Sequence, residues 1–185
     1  VVVVDIGLND MNEIKRVVGL CEWVGNCFIA IESSTITDMF GNAVAPINRT
    51  HAINASQLIA DVTSPNLVSF VLNMTSEILR LTFDETVNST SLDPRQITIQ
   101  NQESSSGAGF SQHTLRGSRW IGPDSTVVEI SLTIADLNEL KRITNLATSV
   151  NDTFVSFSSA MVQDMNKNAI VPIGGTLAKQ ASNFF

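Results

Sequence analysis

Apolar and polar residues alternate along several stretches of the chain, and this pattern predicts β-strands. In the segment 127–134 every second residue is apolar, namely Val128, Ile130, Leu132 and Ile134. A period of two is typical of a strand that buries one face. The same reasoning predicts further strands at Leu67–Leu72, Ile78–Phe83, Ile97–Gln100, Phe154–Ser158 and Ala169–Ile173.

A helical period replaces this alternation directly after residue 134. The apolar residues that give the predicted helix one buried side are Leu137, Leu140, Ile143 and Leu146. We expect Asp136 to cap the helix, because Glu139 follows at the capping-box spacing. A corresponding helix is predicted from Asp10 to Leu20.

Residues 1–47 and 127–173 are an internal repeat at a constant offset of 126, with 17 of the 47 aligned pairs identical. The identities include the motif Asp-x-Asn-Glu-x-Lys-Arg at 10–16 and 136–142. They also include Asp-Met-x-x-Asn-Ala-x-x-Pro-Ile at 38–47 and 164–173, where we expect hairpin turns. The chain therefore holds about one and a half copies of a module.

This repeat predicts the domain organisation. Residues 61–173 form a complete module, residues 1–60 are the second half of a module plus a linker, and residues 174–185 are a tail or linker. Half of a sandwich leaves an apolar sheet face uncovered, which favours association. Either another chain or more of the same polypeptide must supply the missing half.

Many strands, one short helix and polar turns indicate a mainly β fold, an immunoglobulin-like β-sandwich with one short helix per repeat. The motif Thr63-Ser-Pro65-x-Leu67, followed by Leu-x-Leu-x-Phe-x-Glu-x-Val at 79–87, resembles the opening of bacterial immunoglobulin-like surface repeats. Over most of its length the chain also resembles tandem repeats in surface and filament proteins of aquatic microbes. It is similar to protomers of glycosylated pilus-like fibrils from pond water. This resemblance implies that the N-terminal tail of one protomer inserts into a groove on the next.

The first eight residues are the candidate assembly site. Val3 is apolar where its counterpart is Glu129, so the tip of this strand is apolar on both faces. We expect a donated strand that completes a neighbour's sheet, formed by Val1, Val2, Val3, Val4, Ile6 and Leu8. The alternatives are a central strand of its own domain and a strand cut by the boundary of the sequence.

Two features fit an extracellular setting. Cys21 and Cys27 are the only cysteines and are six residues apart, so we expect a disulfide in an oxidising compartment; free thiols and a metal pair are the alternatives. Five sequons are candidate sites for N-linked glycans, at Asn48, Asn54, Asn73, Asn88 and Asn151.

Composition excludes several function classes. The net charge is −7, which argues against nucleic acid, and no apolar run is long enough to span a membrane. The chain opens in mid-strand without Met, so we expect a mature or truncated piece of a longer protein. We find no hydrolase, zinc-protease or phosphate-loop motif and predict neither an enzyme nor a cofactor.

Calcium binding remains a minor alternative for the acidic residues. The candidates are turn or linker carboxylates, namely Asp61, Asp84, Glu85, Asp93, Asp152 and Asp164. By default these residues cap backbone groups.

Three functions follow from the sequence. The first is a structural protomer of an extracellular pilus-like filament, a homopolymer that assembles head to tail through the N-terminal strand. The second is a covalent tandem-repeat segment of a cell-surface stalk or adhesin. The third, a module that binds surface glycans or proteins, is disfavoured because the chain has no Tyr.

Overall fold

The computed structural model describes all 185 residues and divides them into two compact units. Unit 1 is Val1–Asp61 and unit 2 is Val62–Phe185. The protein is mainly β, with several sheets and two α-helices.

Unit 1 contains little regular structure. Helix α1 covers Leu8–Arg16, and a two-stranded antiparallel sheet joins β1 (Phe28–Ile29) to β2 (Ile53–Asn54). Short 3-10 helices lie at Val24–Asn26 and Arg49–His51. No side chain of unit 1 is fully buried, so this unit has no hydrophobic core of its own.

Unit 2 holds the remaining strands and the second helix. The strands are β3 (Leu67–Asn73), β4 (Ile78–Asn88), β5 (Ile97–Gln100), β6 (Gln112–Thr114), β7 (Arg119–Ile121), β8 (Ser125–Ser131), β9 (Phe154–Phe157), β10 (Gln163–Asp164), β11 (Lys179–Gln180) and β12 (Asn183–Phe184), and helix α2 covers Ile134–Arg142. Strands predicted around residues 67, 78, 97, 127 and 154 are therefore present. Residues 169–173 contribute only two isolated bridges, Gln163–Ala169 and Phe157–Ile173.

The strands of unit 2 form two sheets around one core. The first sheet has the order β12-β3-β4-β8-β7, with β10 also paired to β4, and the second has the order β11-β9-β5-β6. Both sheets and α2 contribute to a single buried cluster, for example Phe70, Leu81, Ile99, Val155 and Leu140. The arrangement is β-sandwich-like, because each sheet hides its apolar face against the other.

The central strand β8 depends on two neighbours. On one side Val128 and Ile130 lie opposite Leu81 and Leu79 of β4, and on the other side Ile130 lies opposite Trp120 of β7. Both neighbours precede β8 in the chain. The second half of the module therefore needs the first half to complete its sheet.

The start of α2 differs from the sequence prediction. Thr133 is the N-cap, and its hydroxyl accepts a hydrogen bond from the backbone N–H of Asp136. Glu139 forms an ion pair with Arg142. The prediction that Asp136 caps the helix was wrong, because Thr133 lies three residues before Asp136 and takes that role.

The 126-residue repeat extends further in the structure than residue 47. Helices α1 and α2 are offset by 126 residues, and so are β2 and β11. The side-chain amide of Asn54 donates to the carbonyl of Val24, and that of Gln180 donates to the carbonyl of Val150. The structure thus places residues 174–185, assigned from the sequence to a tail or linker, within unit 2 as β11 and β12.

The turns predicted at 38–42 and 164–168 are present in both units. In each, the first Asp accepts hydrogen bonds from the last Asn. The fourth position has a positive φ, 81° at Gly41 and 70° at Lys167. A left-handed conformation suits glycine and is strained for lysine.

We predict that Lys167→Gly stabilises unit 2 by up to about 1 kcal/mol, because relief of strain exceeds the added flexibility of the unfolded chain. Urea denaturation measures the change. The reciprocal control Gly41→Lys is expected to destabilise the corresponding turn of unit 1. Equal stability of Lys167→Gly and the wild type would mean that relief of strain does no more than offset the added flexibility of the unfolded chain.

Candidate functional site

The Val1–Leu8 segment has no strand partner. Residues 1–7 belong to no helix or strand, and Leu8 begins α1. All six candidate assembly residues are exposed, with Val3 at 81% and Val4 at 79% of full exposure. Exposed apolar residues in a continuous run mark an interaction site or an aggregation hazard.

The corresponding positions in unit 2 alternate between partly buried and buried residues. Residues 127–131 correspond to residues 1–5 and form the central strand β8. Ile130 is fully buried, whereas its counterpart Val4 is open to solvent. The difference arises because β4 and β7, which flank β8, have no counterparts within unit 1.

This exposure continues across unit 1 and defines what we call its apolar face. The face consists of six exposed residues whose counterparts are all buried in unit 2, namely Val2, Val4, Ile6, Leu20, Ile29 and Ile36. The counterparts are Val128, Ile130, Leu132, Leu146, Val155 and Val162. These side chains are only about half exposed, so covering them would contribute roughly 5–10 kcal/mol before the costs of association. The apolar face is the best candidate functional surface of the protein.

A buried polar cluster joins the two halves of unit 2, and sequence reasoning missed it. Asp136 is fully buried, and its carboxylate lies 2.8 Å from Nε2 of His113. It also accepts from the backbone N–H of Arg116 at 3.0 Å and from the hydroxyls of Thr133 at 2.6 Å and Ser118 at 3.3 Å. We call these five residues the Asp136 cluster. His113, Arg116 and Ser118 come from the first half of the module, and Thr133 and Asp136 from the second.

Burial and hydrogen bonding have opposite effects on the Asp136 carboxyl. Burial raises the pKa of Asp136, but hydrogen bonds from Thr133, His113 and Arg116 outweigh it and hold the pKa below its usual range. Ser118 donates to Asp136 and not to His113. Ser118, His113 and Asp136 therefore do not form the hydrogen-bonded series of nucleophile, base and orienting acid that makes a catalytic triad.

Asp10 is the counterpart of Asp136 in unit 1, and it is exposed. Gly7 occupies the position of Thr133, so α1 begins without a side-chain cap. Unit 1 contains no counterparts of His113, Arg116 and Ser118. Asp10 therefore lacks the surroundings that Asp136 has.

Cys21 and Cys27 form a disulfide. The bond closes a short loop around the 3-10 helix Val24–Asn26. In unit 2 the same loop has Ala147 and Thr153 at these positions, and Thr153 donates through its hydroxyl to the carbonyl of Ser149. The disulfide thus closes this loop in unit 1, whereas a hydrogen bond and apolar packing hold the equivalent loop in unit 2.

The five sequon asparagines differ in the availability of the side-chain nitrogen. Asn54 donates this nitrogen to the carbonyls of Val24 at 2.6 Å and Cys27 at 3.1 Å. Asn73 and Asn88 are partly buried, and each accepts turn hydrogen bonds through its side-chain oxygen. Asn48 and Asn151 are exposed. A glycan on Asn54 would break the contact that its counterpart Gln180 also makes.

Several of the acidic residues accept hydrogen bonds from backbone and side-chain groups. Asp84 accepts from Asn66, and Asp152 accepts from Thr148 and Ser149. Hydrogen bonds from the Arg95 guanidinium hold the pKa of Asp93 at about 2.

Three further acidic residues were calcium candidates. Glu85 and Asp164 are both buried in unit 2 with carboxylate oxygens within 4.8 Å of each other. Asp164 accepts from both Asn166 and Asn168, and in unit 1 Asp61 pairs with Lys15 at 2.6 Å. The contacts of Asp164 are those of a turn residue, and the contact of Asp61 is an ion pair.

Neither helix of the protein has the length and apolar character needed to cross a lipid bilayer. Comparisons with protein-family models, with curated proteins and with solved structures found no match.

Proposed function

We propose that this chain is a structural protomer of an extracellular, pilus-like filament built from immunoglobulin-like modules. Copies assemble head to tail as a homopolymer when the Val1–Leu8 segment of one copy inserts as a strand into the sheet of its neighbour. The single observation that carries the proposal is the exposure of Val1–Val4 at positions that form the buried strand β8 in unit 2.

Electrostatic pairing supports this mode of insertion. In unit 2, Ser131 at the end of β8 lies opposite Arg119 of β7. The counterpart of Ser131 is Asp5. A donated Val1–Leu8 segment that displaces the neighbour's own β8 and takes its register would therefore place a carboxylate opposite Arg119, and opposite charges on neighbouring strands stabilise a sheet.

The setting is proposed as extracellular on the basis of the disulfide and the sequons. Of the five asparagines, Asn48 and Asn151 are the best glycan acceptors, because both are exposed and neither side-chain nitrogen holds the fold together as that of Asn54 does. Loss of mass on treatment with an N-glycosidase, located by peptide mapping, checks this assignment.

Deletion of residues 1–8 tests the proposed function. We expect the full chain to form filaments in negative-stain microscopy and the truncated chain to give a monomer near the chain mass by native mass spectrometry. Unit 2 should melt at the same temperature in both, because the segment is exposed and belongs to unit 1. Filaments that persist after the deletion would overturn the proposal.

A second candidate, a covalent tandem-repeat segment of a cell-surface stalk or adhesin, is favoured by the period of the repeat. The offset of 126 residues is constant from helices α1 and α2 to strands β2 and β11, so the second half of the module occurs twice in one polypeptide. Successive modules can thus follow one another in one polypeptide at the same spacing of 126 residues. Denaturing electrophoresis of native material separates the two candidates, since a non-covalent filament dissociates into single protomers and a covalent array does not.

A further inference from the structure

The turn at residues 38–42 of unit 1 has an apolar tip that is open to solvent. Met39 retains 99% and Phe40 retains 93% of full exposure, so neither side chain packs against the rest of unit 1. Two adjacent large apolar side chains in this state mark a contact with another molecule. We call this pair the Met39–Phe40 tip.

The turn itself does not require an aromatic residue. The corresponding turn of unit 2 has Met165 and Asn166 at the same two positions. In both turns the backbone N–H of the third residue, Phe40 or Asn166, donates to the carboxylate of the first, Asp38 or Asp164. Because asparagine satisfies the same turn, the aromatic side chain of unit 1 is available for contact with another molecule.

Unit 2 carries an apolar cavity on its surface beside helix α2, which we call the α2 cavity. Its volume is about 330 Å³, within the range of about 300–1,000 Å³ that is usual for pockets that bury a small ligand. The loop that follows α2 supplies further lining residues, two of which, Thr144 and Thr148, are exposed. The apolar lining consists of Met74, Leu140, Ile143, Leu146, Ala147 and Phe184. An aromatic side chain placed here would pack directly against core residues.

We propose that the Met39–Phe40 tip of one copy docks in the α2 cavity of a second copy. The inference deepens the proposed function and rests on its head-to-tail assembly, because it names a further contact between neighbouring protomers. A knob and a pocket at different places on one molecule make a heterologous contact, which repeats along a filament instead of closing a dimer. Donation of Val1–Leu8 also runs from unit 1 of one copy to unit 2 of the next, so the two contacts have the same direction.

Charge complementarity supports a second copy as the occupant of the cavity. Asp38 at the base of the tip is exposed, and hydrogen bonds from Asn42 hold the pKa of its carboxyl below its usual range. Lys141 lines the cavity and is exposed, while its neighbours in α2, Glu139 and Arg142, pair with each other. A docked tip would bring the Asp38 carboxylate toward the Lys141 ammonium, and such pairing favours the correct partner.

Photo-crosslinking from position 40 tests the contact directly. The full chain carries benzoylphenylalanine in place of Phe40, and isotope-labelled and unlabelled chains are mixed before irradiation. We expect mixed-isotope cross-links from residue 40 to residues 140–148 or 184, located by peptide mass spectrometry. Thr144→Trp, which fills the cavity from an exposed position, should abolish them. Ser159→Trp, at an exposed position outside the cavity lining, is the matched control and should leave them unchanged.

Phe40→Asn is the matched variant for assembly, because unit 2 has asparagine at this place in the turn. We expect it to raise the lowest concentration at which filaments form by roughly 10-fold or more, since each contact loses one buried aromatic side chain. The melting temperature of unit 2 should not change. Lys141→Glu should also raise the threshold concentration, and added salt should reduce this second effect because it screens exposed charges.

Cross-links that remain within one chain or map outside the α2 cavity would overturn the inference, and so would an unchanged filament threshold for Phe40→Asn. Sedimentation of the wild type, but not of Phe40→Asn, with phosphatidylcholine vesicles in the absence of mixed-isotope cross-links would assign the tip to a lipid surface instead. Deletion of residues 1–8 reads the proposed function separately. Filaments that persist after this deletion and still depend on Phe40 would refute strand donation and retain the tip contact.

Discussion

Replacing Asp136 by Ala is expected to destabilise unit 2 by about 3–5 kcal/mol, because it leaves the buried His113 imidazole and two hydroxyl donors without their acceptor. Asp136 is fully buried, and its carboxylate is the only group that connects His113, Ser118 and the start of α2. Urea denaturation followed by circular dichroism measures the change.

Asp10→Ala is the matched control for this substitution. It removes the same side chain at the repeat-related position, where it is exposed, and we expect a change within about 0.5 kcal/mol. A double-mutant cycle with His113→Ala isolates the pairing energy. Equal effects of Asp136→Ala and Asp10→Ala would contradict the assignment of the cluster as the connection between the halves.

The pH dependence follows from the same contacts. The pKa of Asp136 is lower in the folded protein than its ordinary value of 3.8. The unfolded chain therefore takes up a proton first, and the stability from this carboxylate is present above about pH 4 and lost as pH falls through the folded pKa. Asp136→Asn should show a shallower loss of stability over this acid range.

The parts of the fold that the sequence predicts are those with a local pattern. The long strands β3, β4 and β8 each bury one face, so alternation reveals them. The Asp-x-x-x-Asn turns appear because the side chains bond to their own backbone within five residues. Repetition of these patterns at a constant offset reveals the half-module without any knowledge of its three-dimensional contacts.

The Asp136 cluster could not be predicted, because its contacts are not local. His113 and Asp136 are separated by 23 residues, and each alone has the character of an ordinary polar residue. The short strands β6, β7 and β10–β12 have two or three residues, too few for a period to show. Neighbouring strands induce them, and only the folded sheet makes them visible.

The candidate assembly residues stay a prediction, which the repeat allows because it supplies an internal reference. A lone Val-rich segment does not tell whether it is a core strand or a donated one. Comparison of Val3 with Glu129 shows that the first copy departs from the second toward greater apolarity. The structure adds what the sequence lacks, namely that both flanking strands come from the first half of a module.

Substitution of the same repeat position in the two units should separate folding from assembly. Ile130→Asp places a carboxylate in the centre of β8, where the side chain has no exposure. Loss of packing and burial of an unpaired charge together cost more than about 5 kcal/mol, which is comparable with the whole stability of a domain. We expect unit 2 of this variant to be unfolded at 25 °C by circular dichroism.

Val4→Asp makes the corresponding change in unit 1 and should affect assembly but not the folding of unit 2. Val4 is exposed, so the melting temperature of unit 2 should not change, whereas filaments should be absent in negative-stain microscopy. A charge within the inserted strand would have to be buried in the neighbour's sheet, and this cost acts only on the assembled state. A lower melting temperature for Val4→Asp would place the segment in the core of its own chain. Filaments of normal length would show instead that the contact between copies lies elsewhere on the molecule.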